Sequence, residues 1–219
     1  MDYQGIIFDL DGTLVNTLED IAESTNTILE ANNFPIHEKE AYKYFVGNGL
    51  RNLVKAALPE ACRQEETVAK CFADMMEVYR KNCLVKSCLY DGVKELLDQL
   101  VRRNLKLAIL SNKSDELTQV IAKKLLSDWP FAAVLGLRTD FPRKPHPAGA
   151  LYISENLGIS PEHLVYVGDS GVDMETACRA GMLPVGVLWG FRTQEELLAH
   201  GAKVLLHHPL DLLEVLTEN

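Results

Sequence analysis

From residue 92 onward the sequence repeats one pattern: an amphipathic stretch of helical period, then a short, continuous apolar run. The runs are 105–110 (LKLAIL), 133–137 (AVLGL), 164–167 (LVYV), 184–188 (PVGVL) and 203–206 (KVLL), and the helical stretches before them are 92–103, 115–127, 147–157, 173–180 and 194–200. A last helix closes the chain. Apolar runs without polar alternation are strands buried on both faces, and their alternation with helices predicts an α/β fold with a doubly wound parallel sheet. A further run of this kind, 5–10 (GIIFDL), stands at the start.

Residues 15–85 break the pattern and carry no strand signal. Thr17 with Asp20 reads as a capping box with Asp in place of the usual Glu or Gln. Ile21, Ile28 and Leu29 then form one helical stripe, ending near Asn32-Asn33 and Pro35. Helices follow at 38–46, 49–58 and 65–83, with Gly47-Asn48-Gly49 as the turn between the first two and Pro59 ending the second. The expected organisation is a core of residues 1–14 and 86–219, with a small all-helical domain at 15–85 inserted after the first strand. An insertion there lies at the carboxyl ends of the strands, where open α/β sheets bind ligands, and is placed to act as a lid.

Composition narrows the function classes. The 219 residues are 47% hydrophobic and 24% charged, an ordinary globular balance. The net charge of −9 makes nucleic acid and anionic membrane poor partners. A small anionic substrate stays open, provided the site carries its own cations. The five cysteines form no C-x-x-C, and the six histidines show no metal spacing. The N-terminus opens with a strand instead of a basic leader, and no apolar stretch reaches membrane-spanning length, so the expectation is a soluble, cytoplasmic protein, monomer or homodimer.

Four motifs follow, or closely follow, predicted strands. Asp9-Leu10-Asp11-Gly12-Thr13 ends the first; strand alternation would point Asp9 and Asp11 to the same side, where a cation would relieve their repulsion. Gly168-Asp169-Ser170-Gly171-Val172-Asp173 follows another, and its two carboxylates can face one point if a helix starts near Asp173. Such hard oxygens suit Mg2+. Ser111-Asn112 offers hydroxyl, amide and backbone N–H groups for phosphate oxygens. Lys144 stands in a stretch stiffened by Pro145 and Pro147. Each motif has a plainer reading: an Asp-Gly turn, a loop Asp plus an N-cap Asp, a loop cap, a surface lysine. Strands of one parallel sheet end on one edge, so their joint placement gathers carboxylates, a lysine and a hydroxyl there. Phosphoryl transfer, which needs positioning and charge neutralisation above all, is the chemistry such a point serves.

In that order the motifs resemble the haloacid dehalogenase-like hydrolase superfamily, and 15–85 looks like its small helical cap. Val46-Gly47-Asn48-Gly49 and Val187-Leu188-Trp189-Gly190-Phe191-Arg192 are similar to phosphoglycolate phosphatases. The resemblance implies a Mg2+-dependent phosphatase acting on a small phosphate monoester, phosphoglycolate favoured, through an aspartyl phosphate. It implies Asp9 as nucleophile and metal ligand, and Asp11 as general acid and base that lends its carbonyl to the metal. It implies Asp169 as a further ligand and Asp173 as orienting metal waters or Lys144. Ser111 and the Asn112 N–H would hold the phosphoryl oxygens, Lys144 would neutralise charge, and Thr13 would add hydrogen bonds. Asn48 and Arg51, at the glycine-rich turn, are candidates to contact the organic end of the substrate. A phosphomutase, a pyrophosphatase or nucleotidase, and a non-catalytic binding protein are the alternatives; mutases of this build carry a His where this chain has Ile21.

Overall fold

A computed structural model describes residues 2–217; the outer ends of the expected core range, residues 1, 218 and 219, lie outside the described residues. The chain divides into two compact units, Met1–Val15 with Leu89–Asn219, and Asn16–Cys88.

The first unit is built on a six-stranded parallel sheet. Its strands are β1 (Gly5–Phe8), β2 (Lys106–Ser114), β3 (Phe131–Leu137), β4 (Leu164–Gly168), β5 (Leu183–Val187) and β6 (Val204–Leu206), in the order β3-β2-β1-β4-β5-β6. The order reverses direction between β1 and its two neighbours. A crevice therefore opens at the carboxyl ends of these strands, where such sheets bind ligands. Phe8 pairs with Ile109 on one side and Val167 on the other, so the residues after Phe8 and Gly168 and the far part of β2 meet at this edge.

Continuous apolar strands make this sheet because both faces are covered. Ile6, Ile7, Ala108, Ile109, Val165 and Tyr166 are all fully buried, and Ala150, Ile153 and Ala177 of the flanking helices pack into the same core. Among those helices, Ala148–Leu157 precedes β4 and Gly171–Ala180 follows it; each ends on a glycine of positive φ, Gly158 and Gly181. Several expected boundaries move, and three of them bear on the site. The strand expected at 5–10 ends at Phe8. The strand expected at 105–110 runs on to Ser114, and the helix expected from 173 begins at Gly171.

The second unit is helical: α1 (Leu18–Ala31), α2 (Tyr42–Phe45), α3 (Leu50–Ala57) and α4 (Glu65–Asn82). Ile21, Leu29, Tyr42, Leu53, Val68, Met75 and Tyr79 form its interior. Helix α4 carries Glu65 and Glu66 in its first turn and Arg80 and Lys81 in its last, each charge matched to the helix dipole. The helix expected at 38–46 is a 3-10 turn, Lys39–Ala41, running into α2. Val15–Asn16 and Cys88–Leu89 are two-residue strands that the sequence does not signal, and the unit runs to Cys88, beyond the expected 85. Gly47 and Gly49 adopt φ of 111° and 82°, a left-handed region that costs glycine little. The expected capping box does not form. Thr17 makes no side-chain cap bond, and the buried Asp20 carboxylate instead accepts from the Lys86 and Ser87 N–H groups and the Ser87 hydroxyl.

Candidate active site

Asp9 is the first residue beyond β1. Its N–H donates to Val167 O at 2.9 Å, carrying the strand pairing one step further. Its Oδ1 accepts from the Leu10 N–H at 2.7 Å and lies 3.0 Å from Lys144 Nζ. Burial pushes the Asp9 carboxyl up to about 7; Lys144 opposes this, while Asp173 and Asp11 add to it. The chain then turns tightly, with the N–H groups of Thr13, Leu14 and Val15 all donating to Leu10 O. This turn, rather than strand alternation, brings Asp11 to the edge, since β1 ends at Phe8. Gly12 sits at φ 82°, and a Cβ there would stand 2.3 Å from Asp169 Oδ2, so only glycine fits. Thr13 Oγ1 is buried and has no hydrogen-bond partner in the protein.

Lys144 is the hub. Its ammonium donates to Asp173 Oδ1 at 2.7 Å and Leu110 O at 3.0 Å, and meets Asp9 at 3.0 Å. The ring of Tyr166 lies 5.8 Å below it. Burial alone would lower its pKa, but Asp173 and Asp9 outweigh that and hold it well above the usual lysine value. Asn112 fixes the Lys144 backbone from both sides: its Oδ1 accepts the Lys144 N–H at 2.9 Å and its Nδ2 donates to the Lys144 carbonyl at 3.2 Å.

Asp169 and Asp173 frame the start of the helix Gly171–Ala180. Asp173 caps the helix, its Oδ2 accepting the Ser170 hydroxyl at 2.6 Å and the Ser170 N–H at 3.1 Å. Asp169 accepts the Phe191 N–H at 2.8 Å. Burial, with Asp173 and Asp9 adding to it, raises Asp169 well above the carboxylate range, against the Phe191 N–H and Arg192.

The polar end of β2 supplies the rest. Ser111 Oγ accepts the Lys113 N–H at 3.2 Å, and Lys113 Nζ reaches both Asp11 oxygens, at 2.8 and 3.0 Å. The Lys113 ammonium was not among the residues singled out from the sequence. The apolar run ends at Leu110 and the strand bulges between Leu110 and Ser114, so neither hydropathy nor alternation marks Lys113 in the sequence.

Thus Asp9, Asp11, Thr13, Ser111, Asn112, Lys144, Asp169 and Asp173 lie at the carboxyl edge of β1, β2 and β4. Asn48 and Arg51 belong to the helical unit. There the Arg51 guanidinium pairs with Glu65 and the Asn48 carbonyl accepts from Asn52 Nδ2 at 2.7 Å.

The donors suit a metal ion. Oxygens of Asp9, Asp169 and Asp173 lie within 4.8 Å of one another, all buried. With Asp11 they make four carboxylates against the two ammoniums of Lys113 and Lys144. Burial first, and the neighbouring carboxylates after it, raise Asp9 and Asp169, and a small divalent cation would offset both effects. A set of hard oxygens with no sulfur or imidazole fits Mg2+.

Comparison with known proteins agrees with the geometry. The family model described as haloacid dehalogenase-like hydrolase matches residues 6–187. A phosphoglycolate phosphatase of Mannheimia succiniciproducens is 35% identical over 190 residues, 84% of this chain and 85% of its own. An N-acetylmuramic acid 6-phosphate phosphatase of Pseudomonas aeruginosa is 30% identical over 99% of this chain and 96% of its own. The crystal structure of a predicted phosphoglycolate phosphatase from Haemophilus somnus superposes with a TM-score of 0.90 at 29% identity, covering 98% of both chains. The chain belongs to the haloacid dehalogenase-like hydrolases. Within them it falls in the phosphoglycolate phosphatase-like subgroup of phosphoric monoester hydrolases.

Proposed function

We propose that this chain is a Mg2+-dependent phosphatase that hydrolyses a small phosphate monoester, phosphoglycolate favoured, through an aspartyl phosphate on Asp9. The observation that carries the reading is the Lys144 ammonium held between Asp9 and Asp173, beside Asp169. In this reading the free Asp9 oxygen attacks phosphorus, forming an acyl phosphate and breaking the bond to the alkoxide. Asp11 hands the alkoxide its proton. Asp11 then takes a proton from water as that water attacks phosphorus and releases Asp9. Lys144 offsets the charge of nucleophile and phosphoryl, Asp173 aims Lys144, and Ser111, the Asn112 N–H and Thr13 Oγ1 donate to the phosphoryl oxygens. Asp9, Asp169 and the Asp11 carbonyl would hold Mg2+, which supplies charge neutralisation when bound, with Asp173 supporting from behind.

Residues 15–85 act as a lid in this account, with Asn48 and Arg51 meeting the organic end of the substrate. The enzyme works in the cytoplasm, as a monomer or homodimer. The N-acetylmuramic acid 6-phosphate phosphatase among the relatives gives sugar phosphates as the second substrate reading.

The test is phosphate release with Mg2+ from phosphoglycolate, sugar phosphates including N-acetylmuramic acid 6-phosphate, nucleoside monophosphates and pyrophosphate, with Asp9→Asn as blank. The reading expects metal-dependent release, fastest from phosphoglycolate. Preference for a sugar phosphate, a nucleotide or pyrophosphate moves the substrate assignment. Interconversion of sugar phosphates without net release makes the protein a mutase. No release from any ester, with metal bound, makes it a binding protein.

A further inference from the structure

The two buried ammoniums serve different carboxylates. Lys144 bridges Asp9 and Asp173, at 3.0 and 2.7 Å. Lys113 turns to Asp11 and meets both of its oxygens, at 2.8 and 3.0 Å. The Lys113 side chain has no exposed surface, whereas that of Asp11 is 12% exposed. One short stretch sets both cations: Asn112 clamps the Lys144 backbone and the next residue sends its own ammonium to Asp11. This follows from β2 running past the end of β1, so that Lys113 stands level with the turn that carries Asp11.

The outcome is a sorting of four carboxylates. Oxygens of Asp9, Asp169 and Asp173 converge within 4.8 Å, and the Asp11 carboxylate is not in that group. Yet Asp11 is near enough for its charge to act on Asp9. A mobile carboxylate this close to a divalent cation is a natural ligand for it, in one- or two-oxygen fashion. A carboxylate bound to a divalent ion is held deprotonated by two positive charges, whereas one that meets a single ammonium keeps a lone pair on each oxygen that can take a proton. A buried, two-pronged contact to an ammonium prevents this swing by fixing the carboxylate and satisfying its oxygens.

We infer that Lys113 is a positioning residue that keeps the Asp11 carboxylate off the metal and so reserves it for proton transfer. The inference rests on the metal and on the Asp11 role proposed above. A purely structural lysine would fill volume and balance charge without changing which oxygens the metal sees.

A double-mutant cycle on metal binding separates the two. Mn2+ is titrated into the substrate-free protein and the free ion is followed by electron paramagnetic resonance, for the parent, Asp11→Asn, Lys113→Met and Lys113→Met/Asp11→Asn. The through-space loss of the Asp11 charge is common to both backgrounds, so a new metal ligand is what breaks additivity. With Lys113 present, Asp11→Asn weakens Mn2+ binding only modestly. With Lys113→Met, where the Asp11 carboxylate is released to the metal, the same change weakens it by about tenfold more. Lys113→Arg keeps the contact and behaves like the parent. Lys113→Gln repeats the cycle without the charge if Lys113→Met does not fold. An Asp11→Asn effect of equal size in both backgrounds, with Mn2+ bound, overturns the role of Lys113 alone. Absence of Mn2+ binding in every variant overturns the metal reading and this inference with it.

Discussion

Lys144→Met removes the ammonium on which the buried carboxylates depend. The Lys144 side chain is 3% exposed, that of Asp173 is fully buried and that of Asp9 is 12% exposed, so solvent replaces little of what is lost. Removing one partner of a buried pair costs about 3–5 kcal/mol, because the remaining charge stays uncompensated. For a chain of this size each kcal/mol lowers the melting temperature by about 2–4 °C, so Lys144→Met is expected to melt about 6–20 °C below the parent. The assay is thermal unfolding in a chelator, followed by tryptophan fluorescence. Both tryptophans report on the core unit: Trp129 Nε1 donates to Asp98 at 2.8 Å and Trp189 Nε1 to the Thr13 carbonyl at 3.0 Å. Lys144→Met/Asp173→Asn should recover part of the loss, because it discharges the carboxylate nearest the missing cation. A Lys144→Met protein that melts within about 2 °C of the parent would refute the account of Lys144 as the charge on which this edge is built.

Gly190→Ala puts a Cβ 2.3 Å from Asp169 Cβ and 2.6 Å from the Gly12 carbonyl. The displaced Asp169 should cost about a hundredfold in metal-dependent turnover, measured at saturating substrate. In chelator, Asp9 binds a proton more tightly in the folded than in the unfolded chain, near 7 against 3.8. The native state then holds the extra proton, so the Asp9 contribution makes stability fall as pH rises from about 4 to about 7 and level off above. Denaturant titrations should show that part of the slope vanish in Asp9→Asn. Asn48→Ala and Arg51→Ala should alter KM or substrate preference and leave the metal requirement unchanged; an unaltered substrate profile removes the lid residues from the account.

The sheet was readable from the sequence because strands buried on both faces have to be continuously apolar, and Ile6, Ile7, Val165 and Tyr166 are fully buried. The same reasoning hid Lys113. The strand beginning at Lys106 crosses into Ser111-Asn112-Lys113, where its register with β3 breaks, and it pairs again only at Ser114 with Leu137. A hydropathy pattern ends where the apolar run ends, at Leu110, and so carries no sign of the second ammonium at Lys113. Asp20 failed for a related reason. A Thr-x-x-Asp spacing describes a local cap, but Ser87, 67 residues away, offers its N–H and hydroxyl to that carboxylate. Arg51 is similar, since its Glu65 partner sits on another helix and no local spacing announces the pair. Asp9, Asp169 and Asp173 were readable because each lies within a few residues of a strand end, where topology rather than side-chain detail decides the neighbours.

The most direct test of the central claim is to quench the enzyme in acid during turnover of phosphoglycolate with Mg2+ and map the protein-bound phosphoryl group by peptide mass spectrometry. The account predicts one phosphoryl group, on Asp9, that is lost in Asp9→Asn along with phosphate release. A phosphoryl group on another side chain, or an Asp9→Asn protein that still turns over, would contradict it.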